Sequence, residues 1–346
     1  MARDLKLGLN TGYWAGGPPA GAPEAIAEAE RLGVDSIWTA EAYGSDCLTP
    51  LAWWGAATSQ IKLGTAIVQM SARQPAATAM AAMTMDHLSG GRFILGLGVS
   101  GPQVVEGWYG MPFAKPLART REYIGILRDI WSRKGPVVAE GEHYRLPLNG
   151  GTGLAKPLKS SIHPLREDIP VYLGAEGPKN IALCAELCDG WLAMLFSPSQ
   201  QDVYRGYLQE GFDRPGARRT ADEFEVNATV PLIVSDDVDA AADSLRPFYA
   251  LYFGGMGAKG TNFHANVAIR MGYEAEVDEI AELYLQGKKD DAAAKVPRKL
   301  IEEMSLIGPK DKIRHDLEAW RESIVTTLLV SADASTLRTV AELVLG

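Results

Sequence analysis

Cysteine is scarce: three residues in 346, two of them four apart, make no disulfide frame and point to reduced thiols. The amino-terminal Met1-Ala2-Arg3-Asp4-Leu5-Lys6 lacks the apolar core of a signal peptide, so a cytoplasmic location is expected. Histidine is also sparse. His87, His143, His163, His264 and His315 contain no pair at ligand spacing and no His-Glu-x-x-His, so no metal site is expected. Lysine and arginine number 34 against 43 acidic residues, a net charge of −9, which leaves no basic face for nucleic acid or anionic lipid. No apolar run approaches the roughly 20 residues that span a bilayer, which excludes a membrane helix. A Gly-x-Ser-x-Gly elbow and a Walker loop are both missing, and no cysteine has the base and electropositive setting of a nucleophile.

What is present is an ordinary globular composition, 47% apolar and 22% charged, and one informative stretch from Ile61 to Phe113. Two short apolar runs, Ile61–Val68 and Arg92–Val99, flank an Ala/Met-rich helical segment from about Gln74 to Leu88. That pattern reads as a β-α-β unit with parallel strands buried on both faces. The second run contains Gly96-x-Gly98-x-x-Gly101, which matches the dinucleotide fingerprint in letters. The fingerprint belongs on the first strand of its unit and opens a helix at the third glycine. Here the strand is a later one, and Gly101-Pro102-Gln103 followed by Gly107, Gly110 and Pro112 reads as helix-breaking.

Taken in order, the chain offers eight apolar strands alternating with helical segments. They are Leu5–Asn10, Asp35–Ala40, Ile61–Val68, Arg92–Val99, Ile169–Ala175, Gly190–Leu195, Phe224–Val234 and Thr326–Ala332. Pro231 should kink the seventh or sit at a bulge. The alternation predicts an α/β fold, a (β/α)8 TIM barrel in a single domain over 1–346, with a doubly wound open sheet as the alternative. Two insertions interrupt it: an irregular one at about 135–168 after strand four, and a helical one at about 238–303 after strand seven. Segments of such length usually carry function or fold over a site.

A barrel of this kind has its active site at the carboxyl ends of the strands. Those ends hold Asn10, Glu41, Ala66 with Ile67, Ser100 with Gly101, Gly174 to Gly177, Leu195 to Ser197, and the region after Val234. The set is mostly small residues and backbone, which suits a site where a bound cofactor carries the reaction. Gly174-Ala175-Glu176-Gly177-Pro178 joins a strand to a helix with Pro178 at the first helical position, so its N–H groups and the helix dipole suit a phosphate. An ordinary turn remains the alternative. Glu41 suits proton transfer beside a redox centre or, equally, a carboxylate bonded to nearby N–H groups. Trp108 reads more readily as core than as a cofactor contact. Cys184 and Cys188 share one helical face and should pack on the sheet.

The runs Ile61–Arg73, Asp86-His87-Leu88-Ser89-Gly90-Gly91-Arg92, and Gly96 through Glu106-Gly107-Trp108-Tyr109-Gly110 together resemble the luciferase-like monooxygenase superfamily. Within it the chain looks most like the coenzyme F420-dependent oxidoreductases, and the likeness covers nearly its whole length. The resemblance implies a deazaflavin in a TIM barrel, hydride exchange with a small organic substrate, and a homodimer. It implies further that Ala66-Ile67 is a non-prolyl cis peptide behind the ring, that Gly174 to Pro178 contact the phosphate-bearing tail, and that Asn10, Ser100, Gly101 and Ser197 line the cofactor site. Glu176 stands where some relatives have glycine, which implies that its side chain turns away. Glu41 falls near the reactive ring carbon, and glutamate rather than histidine there disfavours a sugar-phosphate substrate. FMN in a luciferase-like monooxygenase, or a flavin-binding protein without catalysis, are the alternatives to F420.

Overall fold

The computed structural model describes residues 4–257 and 262–346; the first three residues, and four within the second insertion, lie outside the described residues. The barrel is built from β1 Lys6–Asn10, β2 Ser36–Thr39, β3 Lys62–Thr65, β4 Phe93–Gly98, β5 Val171–Gly174, β6 Gly190–Ala193, β7 Glu225–Thr229 and β8 Thr327–Val330. All pair in parallel, in the order β3-β2-β1-β8-β7-β6-β5-β4. The sheet closes where β4 returns to β3, with Leu63 opposite Phe93 and Gly64 opposite Ile94. This is the expected (β/α)8 barrel, and closure excludes the doubly wound alternative.

Period-two alternation explains why the strands read as unbroken apolar runs. Trp38, Ile94, Tyr172, Leu192 and Leu329 point inward and fill the barrel as one cluster. Their neighbours Ile37, Phe93, Leu95, Val171, Leu173, Trp191, Leu328 and Val330 face the helices outside. Trp38 and Tyr172 stack at 5.9 Å between ring centroids. The Trp38 indole N–H donates to Ser36 Oγ at 2.9 Å, so its buried polar atom is satisfied. The Trp38 ring lies so close to Gly64 that a Cβ there would fall 2.3 Å from Cε3, hence glycine on β3.

Around the barrel run α1 Ala22–Leu32, α2 Leu48–Gly55, α3 Pro75–Ser89, α4 Pro116–Ser132, α5 Pro178–Leu187, α6 Gln201–Phe212, α7 Lys310–Arg321 and α8 Ala334–Val344. Cys184 and Cys188 are fully buried against the sheet, as their spacing predicts. A short helix, Pro102–Gly107, also follows β4 with Gly101 as its N-cap. The glycine- and proline-rich run therefore does open a helix, contrary to its helix-breaking composition. Pro102 is accommodated because a first-turn N–H has no partner to lose.

The two insertions behave differently. Residues 135–168 form one two-residue antiparallel hairpin, Ala139–Glu140 with Arg145–Leu146, and otherwise lack regular structure. Glu122 of α4 accepts from the N–H groups of Glu142, His143 and Tyr144. Further on, Arg166 reaches Asp86 and the Phe93 carbonyl at the start of β4. The segment thus straps the outside of α3 and α4. After β7 the chain kinks at Pro231, as expected, and Leu232–Val234 leaves the barrel to pair with Leu306–Gly308. Between them, helices beginning with Val238–Ala250 and ending with Arg298–Glu303 enclose a second core around Tyr249, Phe253, Ile280, Leu300 and Ile301.

Candidate active site at the barrel mouth

At the end of β3 the chain turns through a cis peptide between Ala66 and Ile67, as the resemblance implies. Pairing resumes at once with Val68 opposite Leu97 and Gln69 opposite Gly98. The bulge aims Ile67 across the mouth. Its Cδ1 would lie 2.2 Å from a Cβ on Gly98, and its Cγ2 3.3 Å from one on Gly174. The floor is therefore an apolar shelf of Ala66 and Ile67 over the Trp38–Tyr172 stack, walled by bare backbone. Two non-glycine residues take left-handed backbone just past strand ends, Ser100 after β4 at φ 59° and Leu195 after β6 at φ 55°. Such conformations cost about 1 kcal/mol and concentrate at functional sites.

Glu41 does lie at the end of β2, yet it is only 4% exposed and both oxygens are committed. Arg73 Nη1 donates to Oε1 at 2.7 Å and to Oε2 at 2.8 Å. The N–H groups of Gln69 and Cys47 add 3.2 and 3.3 Å contacts. The Gln69 amide returns to the carbonyls of Glu41 and Ala42 at 3.1 and 2.9 Å. The expectation of a free acid or base is thereby narrowed: this carboxylate is locked between an arginine and the strand just past the cis peptide. Burial alone would lower the Arg73 pKa, but the Glu41 carboxylate more than reverses that. Burial, with the Glu41 charge beside it, pushes the Cys47 thiol well up, so it is no nucleophile.

On the other side of the mouth, Gly177 caps α5 with Pro178 in the first turn. The Glu176 carboxylate lies 2.6 Å from His264 Nδ1. Nearby, Asn180 Oδ1 is buried with no protein partner, and so is Nη2 of Arg270, whose side chain lies beside Tyr204. Asn10 Oδ1 accepts from the Gly12 N–H at 3.0 Å, turning the loop after β1. Ser197 is buried and shares a 2.9 Å hydrogen bond with Ser199 after β6. Asn10, Ala66, Ile67, Ser100, Gly101, the loop from Gly174 to Pro178, and Ser197 all stand at strand ends on this one face. Trp108, expected in the core, is 63% exposed at the rim. Arg73, Gln69 and His264 were not foreseen. A glutamate at a buried strand end demands a cation, and that was the available signal for Arg73.

Among the described residues no three His, Cys, Asp or Glu side chains gather as a metal site, and no helix is long and apolar enough to cross a membrane.

The geometry is that of a cofactor-dependent barrel enzyme, and the luciferase-like monooxygenase family model matches residues 8–327. The chain belongs to that family. It is 54% identical to a protein of Mycobacterium tuberculosis provisionally named coenzyme F420-dependent oxidoreductase, over 99% of this chain and 100% of that one. It is 28% identical to the 5,10-methylenetetrahydromethanopterin reductase of Archaeoglobus fulgidus, over 88% and 87% of the two chains. Among solved structures, the coenzyme F420-dependent tetrahydromethanopterin reductase of Methanopyrus kandleri superposes with a TM-score of 0.80 at 25% identity, covering 98% of both chains.

Proposed function

We propose that this protein is an F420-dependent oxidoreductase that exchanges a hydride with a small organic substrate. The observation that carries the reading is the character of the mouth: a backbone-walled apolar shelf with its one buried carboxylate, Glu41, already neutralised. Such a site has shape but little chemistry of its own, so the reaction falls to a bound group. When bound, the deazaflavin supplies the hydride-carrying carbon. The names of the relatives support F420, and the site suits it: a flat ring fits the Ala66–Ile67 shelf, and an anionic tail fits the α5 amino terminus. There Glu176 faces His264 at 2.6 Å, and the Arg270 guanidinium keeps an unpartnered buried N–H.

In this reading Ala66, Ile67, Ser100 and Gly101 bound the ring, Asn10 and Ser197 flank it, and Gly174 to Pro178 hold the tail. Glu41 is a positioning residue, because through Gln69 it pins the strand that follows the cis peptide. A homodimer is the assembly we associate with it. The open apolar groove between α2 and α3, about 920 Å³ and edged by Trp53 and Leu88, is the face for a second copy. FMN would share the ring shelf, so the discriminating experiment titrates purified protein with F420 and with FMN, followed by fluorescence. F420 is expected to bind at least about tenfold tighter, roughly 1.4 kcal/mol. Tighter FMN binding overturns the assignment.

A further inference from the structure

Most charge on the loops at the mouth is already committed, apart from Lys179 and Arg270 beside the α5 amino terminus, where an anionic tail would lie. Among the described residues, the loops after β1 and β6, residues 11–21 and 194–200, carry no charged side chain at all. After β2, Glu41 is paired with Arg73, and Asp46 accepts from the N–H groups of Leu48 and Thr49 at the start of α2. After β4, Glu106 accepts from the Phe113 N–H at 3.2 Å, and Lys115 turns outward to Glu142. After β5, Glu176 faces His264 Nδ1 at 2.6 Å; after β8, Asp333 caps α8 through Ser335 and Thr336. A charged substrate arriving over the shelf, away from the α5 amino terminus, would lose hydration and find Glu41 and Arg73 already engaged with each other.

What the loops expose instead is aromatic surface. Tyr13 after β1 is 55% exposed, Tyr43 after β2 63%, Trp108 after β4 63%, and Phe263 in the insertion after β7 56%. The groups are joined around one opening. The Tyr109 hydroxyl donates to the Ala42 carbonyl at 3.3 Å, tying the β4 loop to the β2 loop. The Tyr13 side chain faces that of Tyr252, which packs edge-on against His264 at 4.9 Å. Phe263 lies against Gly177, whose Cβ would sit 3.8 Å from its Cδ1. Single exposed aromatics are ordinary, but four on the loops at one end of the barrel mark a binding surface.

We propose that the substrate is an uncharged molecule carrying an aromatic or alicyclic ring, gripped by this rim above the shelf. The proposal rests on the cofactor reading for its chemistry but on the rim alone for its class. Ring faces hold such molecules by offset and edge-on stacking, which needs no ionic partner.

The test uses a matched pair, para-methylacetophenone and para-acetylbenzoate, which share a ring and a ketone and differ in a methyl against a carboxylate. Calorimetric titration is run on the full-length protein with and without F420. The neutral ketone is expected to bind at least about tenfold tighter than the carboxylate in both series. Tyr43→Ala and Trp108→Ala, both at exposed positions, should each weaken the neutral ketone by about fivefold or more, while the F420 titration stays within about twofold. Equal or tighter binding of the carboxylate, no saturable binding of the ketone, or unchanged ketone affinity in both variants overturns the proposal. Failure of F420 to bind, with the neutral preference intact, counts against the cofactor reading alone.

Discussion

The two ends of the barrel use buried charge in opposite ways. At the amino-terminal end, Asp189 is 5% exposed and accepts from Arg128, Arg218 and Arg219 at 2.7–2.8 Å as well as from the Val171 N–H. Beside it, Asp86 is fully buried under Arg166, and Glu186 binds both Arg121 and Arg214. These pairs tie α3, α4, α5 and the segments entering β5 and β7 into one base. At the mouth, among the described residues, Glu41 and Arg73 form the comparable buried pair, and it fastens neighbouring loops. Dense ionic fastening therefore sits where nothing needs to enter, and backbone with aromatic surface sits where a ligand must. That is the division expected of this fold, stability at one face and function at the other.

The sharpest way to break the comparison is to remove one carboxylate from each end. Asp189→Asn leaves three arginines around a neutral amide in a nearly closed site. Stripping one partner from a buried ionic cluster should cost about 3 kcal/mol of stability, read as a lower urea midpoint at an unchanged slope. The F420 affinity of the folded fraction should hold within about twofold, because the two ends share no partners. A stability loss below about 1 kcal/mol would show that the arginines find equivalent partners, Asp168 being at hand.

The strands and the strand-end shelf were legible because they rest on local signals. Period-two burial on both faces makes apolar runs of fixed length, and small residues at the ends of β3, β4 and β5 mark where bare backbone faces a ligand. The barrel order followed from strict alternation. What could not be read depends on distant partners. Glu41 looked like a free acid because Arg73, 32 positions away, is brought to it only by the bulge after β3. The path of 135–168 was equally hidden: Glu122 and Asp86 anchor it through long-range bonds to backbone N–H groups and to Arg166. Trp108 was misplaced because apolar character alone cannot separate a core ring from a rim ring.

At the mouth, Glu41→Gln keeps size and hydrogen bonding but removes the charge that holds Arg73. The positioning role predicts F420 binding about tenfold weaker, with turnover at saturating cofactor reduced by less than about fivefold. Glu41→Asp, which restores the charge on a shorter arm, should recover part of the affinity. An acid–base role predicts the reverse, intact F420 affinity with turnover down by about 10²-fold or more. The split between affinity and turnover separates the two, since general loosening of the loop would not reproduce the partial rescue by aspartate.

The smallest effect tests how far the amino-terminal end depends on ionised carboxylates. Glu30 of α1 accepts from the N–H groups of Ser59, Gln60 and Ile61 at 2.7–2.9 Å, fixing the turn that enters β3. Burial alone would raise its pKa, yet the bonds from Ile61, Ser59 and Gln60 bring it down to about 2. A folded pKa below the unfolded one adds stability that is complete above the unfolded value, about pH 4.5, and fades as pH falls toward about 2. Glu30→Gln should therefore be less stable by about 1 kcal/mol near neutrality, a figure that allows for solvent screening at this partly exposed site. Measured by urea unfolding at successive pH values, the gap to the parent should shrink by about half by pH 3. A gap that stays constant across that range would mean the turn is held by the side chain's shape and hydrogen bonds alone, with its charge contributing nothing.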